Sequence, residues 1–323
     1  MKVLWISIAV SIALASCGPV ESISSTAVLV EKGSILVIDE ANQVLKAVNL
    51  SNGTVSQIAY VGNAANDIEI DGDNVYIAAS LNHTLLKINL SNGITHALRF
   101  PGSPNPYNLR ISDGRVYVTQ LSSNMVSVVD KNTMALLTNI VLQTGGNPEG
   151  IIVTENIYVA TSAGYASGYS NSHIEVYNTS TYAFVTNIPT AKNPQSLCNY
   201  GGTIFVAATG AYDGSGKVQQ LNGNVASDLP GIASTQPAFL AYKNNKLFVI
   251  DSTYGSEKLI VADSSGNVIT ALLAGKNLKG ISFDNSYAYL SEGYGGNSAY
   301  RCSLADYSIT TYTNTGGGDC VYY

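Results

Sequence analysis

Three histidines, His83, His96 and His173, and four cysteines, Cys17, Cys198, Cys302 and Cys320, are the chain's whole stock of imidazoles and thiols. No two cysteines have metal-ligand spacing. There is no Gly-x-Ser-x-Gly elbow, no Cys-x-x-Cys-His haem attachment and no phosphate-binding glycine loop with its lysine. Asp71-Gly72-Asp73 has the look of a calcium loop, but Asp113-Gly114 fills the same place one repeat later, so it reads as a turn. Recognition chemistry is better supplied. Tyrosine and glycine recur together in Gly164-Tyr165, Gly168-Tyr169, Ala211-Tyr212-Asp213-Gly214, Thr253-Tyr254-Gly255 and Gly293-Tyr294-Gly295-Gly296. Tyrosine offers a large, rigid contact surface with a hydroxyl at low entropic cost, and glycine lets backbone approach a partner. Tyr165, Tyr169, Tyr212, Tyr254 and Tyr294 therefore suggest an aromatic platform; the alternative is that they pack on neighbouring loops.

What positions these residues is a repeat. Val75-Tyr76-Ile77-Ala78-Ala79 recurs around Tyr117, Tyr158, Phe205, Phe248 and Tyr289, with a degenerate first copy at Leu36, at intervals of 40, 41, 41, 47, 43 and 41. Each copy is apolar, β-branched or aromatic, and too short for a helix, so it reads as a buried strand. Each repeat carries four strand signals, a to d, joined by Asp-Gly and Ser-Asn-Gly turns such as Ser91-Asn92-Gly93. Seven repeats of four antiparallel strands predict an all-β fold, a seven-bladed β-propeller over residues 27–323. Gly318 to Tyr323 resembles the beginning of a further strand a, which would lock the ring onto the first blade. Whether Ala27 to Val30 is then displaced or paired beside it stays open.

In a propeller the d–a and b–c loops share one face, here called the top, around the mouth of a channel. Alignment places Asn66, Asp67, Tyr107, Asn108, Glu149, Gln195, Ser196, Lys279 and Asp319 at that mouth, a mixed polar ring. Such rings are also the ordinary wet lining of a channel. The b–c loops are short in blades one to three, and longer and tyrosine-bearing in blades four to seven. His83 and His173 fall in b–c loops two blades apart and His96 on an outer strand, so each is expected as an isolated surface side chain. No metal and no cofactor is expected.

Charged residues are 12% of the chain and the net charge is −6, which disfavours nucleic acid, since that needs clustered Lys and Arg. At the N-terminus Lys2 precedes an apolar run from Val3 to Ala15, the layout of a secretory signal and too short to span a bilayer. Leu14-Ala15-Ser16-Cys17 resembles the lipobox of bacterial lipoproteins. That resemblance implies a signal over 1–16, an acylated Cys17 with a short tether over 17–26, and a membrane held through acyl chains only. Gly18 after the cysteine suggests the outer membrane, on the periplasmic or surface side. Among the remaining cysteines the expected disulfide is Cys302 with Cys320, with one thiol left over.

The repeat itself resembles the YVTN-type propellers of bacterial and archaeal surface proteins. The best copy runs Asn108-Leu109-Arg110-Ile111-Ser112-Asp113-Gly114-Arg115-Val116-Tyr117-Val118-Thr119, then Asn124-Met125-Val126-Ser127-Val128-Val129-Asp130. Asn147-Pro148-Glu149-Gly150-Ile151-Ile152-Val153 matches the opening of the next. The resemblance spans most of the mature chain, loosely in the last three repeats, and implies fold and location more than activity. Relatives of that group include lactonases and quinoprotein dehydrogenases, so a metal site from Glu149, Asp67 and Asn108 is the enzyme alternative. The favoured expectation is a non-enzymatic envelope lipoprotein whose top face binds a surface or periplasmic protein. A glycan or small-molecule receptor is the other alternative.

Overall fold

Each repeat forms one four-stranded antiparallel sheet in the computed structural model, giving seven sheets. The structure describes residues 29–144 and 146–323, and the backbone of Glu21–Ser24. The expected signal, 1–16, and Cys17 lie outside the described residues. Blade 2 sets the pattern: Ala65–Asp71 is its inner strand a, Asn74–Ala79 strand b, Thr84–Asn89 strand c and Ile94–Arg99 the outer strand d. The inner strands of blades 3 to 7 are Pro106–Ser112, Pro148–Val153, Pro194–Tyr200, Pro237–Lys243 and Leu278–Phe283. Inner strands contact each other in succession and return to blade 2, so the ring closes around a channel.

The repeat's aromatic residue explains why blades need one another. Tyr76 on strand b packs against Leu109 and Val116 of blade 3, and its hydroxyl donates to Lys131 O at 3.1 Å. Tyr117, Phe205, Phe248 and Tyr289 are buried in the same way. Each such ring removed from water is worth about 2–3 kcal/mol, none of it available to a lone blade. The c–d turns follow the asparagine pattern: Asn89 Oδ1 accepts from Ser91 N at 3.1 Å, and Gly93 takes a φ of 70°.

Closure is made at the C-terminal end, while Ala27 and Val28 lie outside the described residues. Cys320–Tyr322 is the inner strand of blade 1 and pairs antiparallel with Ser34–Asp39, setting Val321 opposite Leu36. Val30 is not in that sheet; its N–H donates to Leu90 O of blade 2 at 3.2 Å. Within the expected tether, Glu21–Ser24 adds a fifth strand outside Ile94–Arg99, with Ile23 opposite Thr95.

The expected Cys302–Cys320 disulfide is corrected: both thiols are free, as is Cys198. Cys302 packs among Phe248, Leu259 and Leu290 between blades 6 and 7, whereas Cys320 packs among Ile35, Val37 and Tyr289 between blades 7 and 1. The sheet of blade 7 lies between them.

Candidate functional site: the channel and its tyrosine-bearing mouth

Strand a opens with the same irregularity in blades 2 to 7. Its register to strand b shifts, placing a bulged residue at Asn66, Tyr107, Glu149, Gln195, Ala238 and Lys279. A bulge re-aims its extra residue away from the regular ladder. Five of the six, Asn66, Tyr107, Gln195, Ala238 and Lys279, line a cavity of about 280 Å³ at the channel mouth. Glu40, Asn108, Phe239, Tyr294 and Asp319 complete much of its wall. Glu149 is the exception, set behind the wall and 7% exposed. Its neighbour Gly150 shows how closely the inner strands approach: a Cβ there would stand 2.5 Å from Gln195 O.

A second cavity of about 450 Å³ lies further along the inner strands and shares Phe239 and Asp319 with the first. Asp67, expected at the mouth, opens onto this second cavity instead, where Arg110 Nη1 stands 3.6 Å from Asp67 Oδ2 and 2.9 Å from Glu69 Oε1. Both blade 2 carboxylates also hold the next blade's inner strand, accepting from Leu109 N at 2.7 Å and Ile111 N at 2.8 Å. Asn108 and Ser196 do the same for Ile151 N and Leu240 N. Burial pushes Glu69 up to about 7 even against the pull of Arg110. Burial, then the charge and hydrogen bond of Asp67, raise Asp319 well above the usual carboxylate range. At the mouth, Lys279 Nζ pairs with Glu40 Oε1 at 2.5 Å.

The four long b–c loops present Tyr165, Tyr212, Tyr254 and Tyr294 at 80, 57, 93 and 73% exposure. Tyr169, expected beside them, is 8% exposed. It packs edge-on to Tyr165 with ring centroids 6.2 Å apart, and its hydroxyl faces Tyr212. Tyr169 supports the platform rather than presenting itself. Both Tyr169 and Tyr212 hold positive φ, 59° and 61°, as Tyr182 and Tyr307 do in c–d turns.

His173 differs from its expectation as a surface residue. It is buried at the start of strand c of blade 4, His173–Asn178, with Nδ1 2.7 Å from Asn171 O and Nε2 3.3 Å from Glu175 Oε1. Burial alone would raise Glu175, but hydrogen bonds from His173, Thr144, Tyr177 and the Gln143 N–H outweigh it and hold the carboxyl at about 2. The network ties down the connection leaving blade 3. His83 and His96 are partly buried, both in blade 2. Among the described residues no group of three or more His, Cys, Asp or Glu is arranged to hold a metal ion. Glu40, Glu69 and Arg110 are site residues that the repeat alignment does not mark. Strand alternation carried the signal for two: Glu69 and Arg110 stand two residues beyond Asp67 and Asn108, on the same face.

No family model matches the sequence, and no curated protein matches it. Solved structures do. An inactive virginiamycin B lyase from Staphylococcus aureus with quinupristin superposes with a TM-score of 0.63 at 15% identity, over 78% of this chain and 87% of that one. BamB from Moraxella catarrhalis gives 0.55 at 14%, over 93% and 89%. The dihydro-heme d1 dehydrogenase NirN in complex with DHE gives 0.60 at 12%, over 93% and 77%. At such identities the likeness is one of fold. The chain is a seven-bladed β-propeller, alike in shape to a lyase, to a dehydrogenase and to BamB.

Proposed function

We propose that the protein is a non-enzymatic envelope lipoprotein, acylated at Cys17 and held on the outer membrane, whose top face binds a protein partner within a surface or periplasmic assembly. The observation that carries this reading is the arc of four exposed tyrosines in the consecutive b–c loops of blades 4 to 7. Rings of this size left in water are a poor arrangement for a monomer and a good one for an interface, where tyrosine is enriched. The closed ring holds the loops in place, so little order remains to be imposed on binding. The anchoring part rests on Leu14-Ala15-Ser16-Cys17 alone.

Cross-linking and mass spectrometry of the untagged protein purified from its native membrane test the reading. A stoichiometric partner is expected, lost when Tyr165, Tyr212, Tyr254 and Tyr294 are all replaced by Ala. A partner retained by that variant, or a stoichiometric metal or cofactor on the wild type, would overturn it. Intact mass should also carry acyl chains that Cys17→Ser removes. A receptor for a glycan or small molecule is the second reading, favoured by the mouth cavity of about 280 Å³ with Tyr294 in its wall. Ligand-induced thermal stabilisation in a sugar screen distinguishes it.

A further inference from the structure

Blade 2 differs from the other six at its outer edge, and the difference bears on the chain's own N-terminus. Glu21–Ser24 pairs with strand d of blade 2, and among the described residues no other blade has a fifth strand. Glu21 lies opposite Ala97 and Ser24 opposite Ile94, so the chain, followed back towards its N-terminus, climbs to the top face. Cys17 is four residues further back and stands at most about 14 Å from Glu21. Ile94 lies about 10 Å below Ala97 along the strand, and the bottom turn Ser91-Asn92-Gly93 lies beyond it. Doubling back would bring Cys17 no lower than that turn, so acyl chains on it cannot hold a bilayer beneath the bottom face. They can hold blade 2 only by its edge or by its upper rim.

The upper rim around that point has its own composition. Strands d of blade 1, Val55–Tyr60, of blade 2, and of blade 3, Leu136–Val141, end at the top on Tyr60, Arg99 and Val141. All three are exposed, Tyr60 at 62% and Val141 at 61%. Leu81, in the b–c loop of blade 2, is 59% exposed. The corner of blade 1 is tied to that loop, since Asn63 N donates to Asn82 Oδ1 at 2.9 Å. Arg99 is outside every ion pair among the described residues. In blades 4 and 5 strand d ends instead on Pro189 and Asp228. Exposed apolar side chains and a tyrosine around an unpaired arginine are the side-chain set of a membrane interface. The two faces also differ in charge. Asp113, Glu155 and Asp306 stand at bottom turns outside any ion pair, whereas on top Lys258 pairs with Asp251 at 3.4 Å and Lys276 with Glu292 at 3.2 Å. An anionic lipid surface repels the first face and accepts the second.

We propose that Tyr60, Leu81, Arg99 and Val141 form a membrane seat, by which the top rim of blades 1 to 3 rests on a phospholipid surface. Leu81 and Val141 meet the acyl boundary, Tyr60 lies among the headgroups and Arg99 takes a lipid phosphate. The seat rests on the acyl anchor of the proposed function and goes beyond it: the acyl chains hold the protein on the bilayer, and the seat sets its tilt. Tyr165, Tyr212, Tyr254 and Tyr294 belong to blades 4 to 7, across the ring. The tilt therefore lifts that arc clear of lipid and leaves it open to a protein standing beside the ring.

The test reads depth by fluorescence quenching in the full acylated chain, reconstituted into phosphatidylethanolamine–phosphatidylglycerol vesicles that carry a headgroup-nitroxide lipid. Single cysteines are introduced on a Cys198→Ala background, in which Cys302 and Cys320 stay buried. Ser122→Cys puts the fluorophore in the top b–c loop of blade 3, Ser256→Cys in that of blade 6, and Ser91→Cys in the bottom turn of blade 2. Quenching of the blade 3 label is expected to exceed that of both others at least twofold. Combining Tyr60→Ser, Leu81→Ser, Arg99→Ser and Val141→Ser should erase the difference and leave thermal unfolding nearly unchanged, since all four side chains are exposed. A blade 2 label quenched as strongly as the blade 3 label means a ring on edge. A blade 6 label quenched as strongly means a ring flat on its tyrosines, and a difference that survives the combined variant means a tether acting alone. Each of these overturns the seat. If the difference is absent while a partner still requires the four tyrosines, the seat falls and the interface reading stands; an intact mass without acyl chains overturns the anchor and the seat together.

Discussion

Replacing Glu149 by Gln should stabilise the ring at pH 8 and leave it nearly unchanged at pH 5. Burial takes this carboxyl from 4.5 to about 7, and at about 1.4 kcal/mol per pH unit the ionised form costs the folded ring roughly 3 kcal/mol. Between those values the folded ring keeps a proton that the unfolded chain has released. Stability therefore falls as pH rises from about 4.5 to about 7, and the deficit is complete above that. Glutamine has no charge to desolvate, but its amide leaves a buried donor worth about 1 kcal/mol of loss. The net gain is about 2 kcal/mol at pH 8 and zero or a slight loss at pH 5. Urea unfolding of both proteins at the two pH values reads the difference directly. An equal effect at both pH values, or a loss at pH 8, would mean that Glu149 ionises without hindrance and that a donor reaches its Oε2, which has none among the described residues.

Other consequences follow from the same geometry. Wild-type stability should peak near pH 5, because Glu69 and Asp319 shed protons as pH rises while Glu175 and Asp306, each held at about 2, lose their hydrogen bonds as pH falls towards that value; a urea midpoint that climbs steadily to pH 8 would contradict this. Glu175→Gln should lower unfolding free energy by about 2–4 kcal/mol, since it removes the charge that accepts from Gln143 N, Thr144 and Tyr177 in a buried site. The three ring thiols should resist a thiol reagent in the native protein, with burial raising Cys198 to about 12 and Cys302 to about 11, and all three should react after unfolding without any reductant. Deleting residues 320–323 should abolish cooperative unfolding and open the chain to protease near Ser34–Asp39, which loses its inner partner.

The repeat was legible because every blade solves the same local problem. Tyr76, Tyr117, Phe205, Phe248 and Tyr289 are buried for one reason, and Asn89 and Asn49 close their turns in one way. The mouth residues were legible for the same cause: the bulge at strand a recurs in register, so Tyr107, Gln195 and Lys279 could be aligned before any contact was known. What was not legible depends on partners from other blades or remote loops. Lys279 meets Glu40, 239 residues away, across the closure of the ring. Tyr169 sits one loop turn from Tyr165 yet is covered by it, and His173 is buried by Thr144 and Glu175 rather than by its own turn. Spacing along the chain carries no record of which blade lies beside which side chain. Cys302 and Cys320, near in sequence, face opposite sides of one sheet for that reason.

The position of Cys320–Tyr322 also has a meaning in time. Its partner Ser34–Asp39 leaves the ribosome early, and at typical elongation rates the strand that completes blade 1 follows on the order of tens of seconds later. Through that interval Ile35, Leu36 and Val37, all fully buried in the finished molecule, border an unfilled edge. The vulnerable species is thus the growing chain rather than the mature one, and its hazard scales with the delay before the last strand arrives. Slowed elongation late in the message should raise aggregation of this protein without altering a single contact of its folded state.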